Sequence, residues 1–256
     1  MTTIPKTDFL MLDTNKPPEG LNIQRSRDDL PAQNKNDQEQ ARELVRSIRI
    51  SPAAGRGLDS KTINYGLYNS FNYSLFLPDD YKTVRLCLGV TSPNEGEGKT
   101  TAICNLATAI SLGIGRKTLV VDLNPNNPRI HDIFKIPRAP GVAEAMAGGE
   151  ICVVPTQIEN LYAMPAGSLQ TLFQSKSNSF RGMLSALSRE FEFIFVDLPS
   201  VNSKNFPTLI ANQLTGLIVV VKPRKTKRRD MNKLFRRVRE ETVLAFVMNE
   251  VNENDF

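Results

Sequence analysis

From Val84 onward the chain breaks into short apolar runs rich in β-branched residues: VRLCLGV (84–90), KTLVVD (117–122), LYAM (161–164), FIFVD (193–197), LIVVV (217–221) and VLAFVM (243–248). Runs of this length bounded by turn residues predict strands. Apolar residues occupy both alternations, which suits strands buried on both faces of a parallel sheet. Between them, helical spacing predicts helices near 100–112, 142–147, 178–189, 208–212 and 226–241. In the first of these, Ile103, Leu106, Ala107 and Ile110 mark one face, and Gly113 is expected to close the helix. In the last, Met231, Leu234, Phe235 and Val238 recur at i, i+3, i+4 and i+7, so one face is core and lysines and arginines cover the other. The alternation predicts an α/β fold, a mostly parallel sheet with helices on both faces.

Residues 1–60 have a different texture. They hold five prolines, one aromatic residue (Phe9) and nine acidic residues against nine basic ones, a composition that predicts a mobile N-terminal arm. Within it Ala41, Leu44, Val45 and Ile48 give residues 38–50 one apolar helical face, so a short helix is expected there. Residues 61–256 are assigned to the domain proper.

The net charge of +5 is one patch rather than a general property. KPRKTKRRDMNKLFRRVR (222–239) carries ten basic residues and one acidic, which leaves the remainder of the chain slightly negative. The functional reading of helix 225–239 is contact with an acidic partner, anionic lipid or nucleic acid; the plainer one is a solvated face. Cys87, Cys104 and Cys152 lie far apart and His131 is the sole histidine, so neither a zinc site nor a disulfide framework finds side chains at usable spacing. His131 is expected to pack or hydrogen-bond locally. No run approaches the ~18 apolar residues of a membrane span. The start, MTTIPKTDFLML, lacks a cationic and then apolar leader. A cytoplasmic protein is expected.

The strongest chemical signal follows the first strand, where TSPNEGEGKTT precedes the first helix. Strand, glycine loop and helix are what a phosphate-binding loop needs, because the loop amides and the positive helix end must both face the phosphates. Glu95, Gly96, Glu97, Gly98, Lys99, Thr100 and Thr101 are its candidate residues for ATP or ADP. Lys99 is assigned to the β and γ phosphates and the Thr100 hydroxyl to Mg2+. Pro93 stands where the first glycine of the motif usually falls. Two strand-terminal carboxylates, Asp122 and Asp197, should open onto the same rim of a parallel sheet. There each can hold magnesium, or orient and deprotonate an attacking group. The alternative for such an aspartate is a helix or turn cap.

Residues 65–249 resemble the bacterial tyrosine kinases of capsule and exopolysaccharide systems, relatives of the ParA and MinD partition ATPases. SPNEGEGKT, DLNPN and DLPS stand where that family has its phosphate loop, its DxDxR segment and its second aspartate motif, and RIHDIF, GVAEAMAGG, LYAMPAGS and VMNE follow in family order. The resemblance implies Lys99 on the phosphates, Thr100 and Asp197 on magnesium, Asp122 in catalytic orientation and Asn249 in adenine recognition. It also implies a partner, a polysaccharide co-polymerase or export machinery at the inner membrane, and a homo-oligomer.

The departures are informative. Asn124 and Asn126 replace the second aspartate and the arginine of DxDxR, and all five tyrosines lie at or before Tyr162. Losing a general base costs about 10²- to 10⁴-fold in rate. The ring-forming ExxRxxR motif is replaced by Gly66, Asn69 and Asn72; the literal match at Glu43, Arg46 and Arg49 is read as a coincidence of a charged helix. Partition relatives carry a second lysine where this chain has Asn94, which argues against a DNA partner. The expected function is a Mg-ATP-binding regulator of exopolysaccharide synthesis with weakened or lost kinase activity. The competing readings are an active tyrosine kinase acting on another protein and a positioning ATPase on DNA or a membrane surface.

Overall fold

The computed structural model describes residues 49–50, 85–168 and 177–249. Its strands are β1 (Arg49–Ile50), β2 (Leu86–Thr91), β3 (Thr118–Asp122), β4 (Cys152–Pro155), β5 (Leu161–Met164), β6 (Phe193–Asp197), β7 (Gly216–Val221) and β8 (Val243–Met248). Its helices are α1 (Lys99–Ile114), α2 (Ile130–Phe134), α3 (Val142–Met146), α4 (Ser177–Glu190), α5 (Thr208–Ala211) and α6 (Arg228–Arg237). The strands form one sheet in the order β1-β4-β5-β3-β6-β2-β7-β8. Every pairing is parallel except β4 with β5.

The near-continuous apolar strands are explained by two cores, one on each face. Leu119, Val121, Ile194, Val196, Leu217 and Val219 point to one side, where α3, α4, α5 and α6 contribute Met146, Met183, Leu187, Ile210 and Leu234. Val120, Phe193, Phe195, Ile218 and Val220 point to the other, where α1 and α2 contribute Ile103, Leu106, Ile110, Ile130 and Phe134. Because side chains alternate along a strand, each central strand feeds both cores at once. The sheet is thereby held rigid, and the carboxyl ends of β2, β3 and β6 lie side by side. Asp122 stands opposite Asp197 in the ladder, and Val90 pairs with the same Asp197.

Several elements differ from the sequence reading. α1 runs past Gly113 and ends at Gly115, which takes the left-handed conformation (φ 67°) that terminates a helix. The helix expected over 226–241 is shorter at both ends. Lys227 is extended, with its N–H on the Asp230 carboxylate, and Val238 leaves the helix with φ −121° and ψ 134°. β4 and α2 were not anticipated, being four and five residues long and too short to show a period. Arg49 and Ile50, the end of the expected 38–50 helix, instead pair as a strand with Cys152 and Val153, where an open sheet edge offers backbone partners. Arg49 therefore does not lie in the charged helix expected over 38–50. The rest of the N-terminal arm, Gly66, Asn69, Asn72 and residues 250–256 lie outside the described residues.

Candidate nucleotide site

The loop after β2 turns on two glycines in the left-handed region, Gly96 at φ 74° and Gly98 at φ 90°, a conformation costly for any residue with a Cβ. α1 begins at Lys99 with no side-chain cap, so the first amides of the helix are left for a ligand. These amides, the helix dipole and Lys99, only 7% exposed, form an anion-binding cradle. Glu95 and Thr101 are exposed on its outside.

Glu97 does not face the cradle. It is fully buried, and its carboxylate accepts the Asn94 N–H (2.9 Å), the Asn94 amide (3.2 Å) and the Thr226 hydroxyl (2.6 Å). Its side chain is a strut that holds the loop from below, so a ligand meets only its backbone. Asn94, at the place of the partition-type lysine, also accepts the Asn202 amide at 3.3 Å. The sequence reading missed this use of Asn94, Asn202 and Thr226. The NxxE spacing, in which a glutamate reaches back to the N–H three residues earlier, was the available signal.

Beside the loop, the Thr100 hydroxyl donates to Asp197 Oδ2 at 2.7 Å. Asp197 is fully buried, and its Oδ1 has no hydrogen-bond partner among the described residues. Burial, and then the charge of Asp122, push its carboxyl up to about 7; the Thr100 hydrogen bond and Lys99 oppose this. Asp122 is pushed up to about 6, again by burial. Both of its oxygens serve the backbone: Oδ1 accepts Asn124 N–H (3.1 Å), and Oδ2 accepts those of Arg129 (3.1 Å) and Ile130 (3.2 Å). That is the bonding of a cap, which folds residues 122–130 and starts α2. Asn124 is buried next to it, and Asn126 is exposed.

A divalent cation fits here. An unpartnered buried carboxylate oxygen beside a hydroxyl is a hard-oxygen donor set that magnesium prefers, and Asp197 Oδ1 has otherwise no compensation for its desolvation. Asn249 closes the rim from the end of β8, its N–H on Val221 O (2.8 Å) and its amide on Glu97 O (3.0 Å). His131 lies in α2 with Nε2 3.3 Å from Asp132, remote in role from this set.

Residues 86–233, more than half of the chain, match the family of the cellulose biosynthesis protein BcsQ. The chain belongs to the BcsQ family. A tyrosine-protein kinase CpsD of Streptococcus pneumoniae is 30% identical to this BcsQ-family chain over 176 residues, 65% of the chain and 74% of CpsD. The kinase domain of the Escherichia coli tyrosine kinase ETK shares its fold with a TM-score of 0.67 at 13% identity, covering 78% of this chain and 83% of that one. The septum site-determining protein MinD complexed with Mg-ADP, from Pyrococcus horikoshii, does so with a TM-score of 0.57 at 21% identity, covering 68% and 74%. The BcsQ-family chain is thus a tyrosine-kinase-like P-loop protein of the capsule and exopolysaccharide class, with a fold shared by MinD. Among its described residues, no helix is long and apolar enough to cross a membrane.

Proposed function

We propose that this BcsQ-family protein binds Mg-ATP or Mg-ADP and acts as a nucleotide-dependent regulator of exopolysaccharide synthesis or export, with little or no phosphotransfer of its own. The observation that carries this reading is the Thr100–Asp197 pair beneath an open helix N-terminus, with Asp197 buried and one of its oxygens unpartnered among the described residues. In it Lys99 would contact the β and γ phosphates, Thr100 and Asp197 would hold magnesium, and Asn249, whose amide donates to Glu97 O, would lie at the base. Bound magnesium supplies charge neutralisation across the phosphates. Asp122 positions the segment that faces the terminal phosphate. Weak phosphotransfer follows from Asn124, whose amide cannot take a proton or carry charge for a metal. The partner is a component of the polysaccharide co-polymerase or export machinery at the inner membrane, as the motif resemblance to the capsule and exopolysaccharide kinases implies.

Thermal unfolding with and without Mg-ATP or Mg-ADP tests the proposal. At 100 times the dissociation constant, bound nucleotide adds about 2.7 kcal/mol, and Lys99→Ala removes most of that gain. A wild-type transition indifferent to millimolar Mg-nucleotide overturns the reading. Strong phosphotyrosine on protein made in a host without other tyrosine kinases would replace the regulator with the active kinase.

A further inference from the structure

The ten basic residues of 222–239 are not merely scattered on a solvated helix. Leu234 and Val238 are fully buried and Met231 and Phe235 partly so, which pins α6 flat against the body. Lys225, Lys227, Arg228, Arg229, Lys233 and Arg236 remain exposed on its outer side. The large apolar side chains that are exposed among the described residues, Leu112, Leu209 and Met248, are not on α6. Protein interfaces centre on apolar and aromatic anchors with arginine beside them and are depleted in lysine, and the exposed face of α6 offers no apolar or aromatic anchor. A helix that reads the bases of duplex DNA must stand clear of its body to enter the major groove, and α6 lies down, which leaves DNA only sequence-independent phosphate contacts. A flat, strongly cationic patch, its one acidic residue Asp230 buried, complements an extended, delocalised negative surface.

The patch is also wired to the nucleotide loop. The Thr226 hydroxyl donates to the buried Glu97 at 2.6 Å and accepts the Lys222 N–H at 3.0 Å. Lys225 Nζ lies 3.4 Å from Gly96 O, so one lysine of the patch touches the loop itself. The Asn202 amide bridges Asn94 Oδ1 (3.3 Å) and Asp230 O (3.4 Å) at the start of α6. At the other end, the Arg237 guanidinium donates to Val201 O and Ser203 O, in the loop that leaves Asp197. Both ends of the helix are therefore fastened to segments that bound phosphate and magnesium would touch. Two sites that share one hydrogen-bonded frame bias each other whenever a ligand shifts that frame.

Resting on the nucleotide reading above, we propose that the outer face of α6 docks on an anionic lipid bilayer, and that docking and nucleotide binding are coupled through the Glu97–Thr226 link. The test is flotation of the full chain with vesicles of phosphatidylcholine containing 30% phosphatidylglycerol, against vesicles of phosphatidylcholine alone. Polyglutamate and duplex DNA serve as competing polyanions. The proposal expects binding to the anionic vesicles only, weakening steeply as salt rises. The Arg228→Glu, Arg229→Glu double variant should lower it at least tenfold with an unchanged unfolding midpoint. Mg-ATP should alter vesicle affinity at least threefold, and vesicles should alter nucleotide affinity by the same factor. Thr226→Val should abolish the change in nucleotide affinity that vesicles cause, read against that variant's own affinity without vesicles.

Absence of binding to the anionic vesicles, an undiminished double variant, or preferential capture by polyglutamate or DNA overturns the docking surface. Coupling that survives Thr226→Val overturns the link. Failure to bind nucleotide in the thermal measurement removes the coupling together with the proposed function, while flotation of nucleotide-free protein still decides the surface by itself.

Discussion

At Gly98 the backbone holds φ 90°, and a Cβ built there would lie 2.0 Å from the Asn249 amide nitrogen. Gly98→Ala must therefore strain the loop and displace the Asn249 contact to Glu97. The expected result is a loss of stability of about 1–3 kcal/mol in urea unfolding, together with at least a tenfold loss of nucleotide affinity by titration calorimetry. Asn124 makes the opposite kind of case. It is 4% exposed and adjoins Asp122 in sequence and in the fold, so an aspartate there would restore a charged group at the family's position. Asn124→Asp should raise phosphate release from ATP about tenfold or more, a fraction of the range general bases provide. Turnover that stays flat would place the deficit at Asn126 instead.

Among the elements, α3 shows how a short helix is kept. Five residues cannot hold a helix by propensity. Glu144 compensates by accepting Gly141 N–H (2.7 Å) on one oxygen and Ser168 N–H (2.8 Å) on the other. It thereby ties α3 to the segment leaving β5. Desolvation pushes the Glu144 carboxyl up, but hydrogen bonds from Ser168 and Gly141 outweigh it and hold it below the usual range. With a depressed folded value, its stabilisation is fully present above the unfolded value and is lost as pH falls through the folded one. Glu144→Gln should flatten the acid limb of a stability profile measured below about pH 4.5, and leave nucleotide affinity at pH 8 unchanged. An acid limb identical to wild type would show that the bonding contributes nothing.

Among the described residues, the buried aspartate pair gives a pH dependence of the reverse sign. Asp122 and Asp197 stand side by side, buried, at about 6 and about 7, both raised by desolvation. Between the unfolded values near 4 and these, the native protein holds protons that the unfolded chain has released. Stability of nucleotide-free protein in chelator should therefore fall as pH rises from about 4 to about 7 and then level off. Asp197→Asn should remove much of that slope. Chemical unfolding at a series of pH values checks this, and a wild-type stability rising steadily across the window would contradict the burial of the pair.

The positions of six strands, the phosphate loop and the pairing of Thr100 with Asp197 were legible in the sequence. Each is announced locally, by a β-branched run, a strand-glycine-helix succession or an aspartate at a strand end, and parallel order then brings those ends to one rim. Tertiary structure alone decided the partners of the buried polar groups. Glu97 sits among the loop's ligand candidates, yet its carboxylate turns inward to Thr226, 129 residues away. Asp122, read as a catalytic or metal carboxylate, spends its oxygens on three backbone amides. A buried charge must be satisfied by whatever donors the fold places within about 3 Å, and no local pattern states which distant segment that will be. The same reason hid β4 and β1, whose few residues acquire strand structure from the edges they meet.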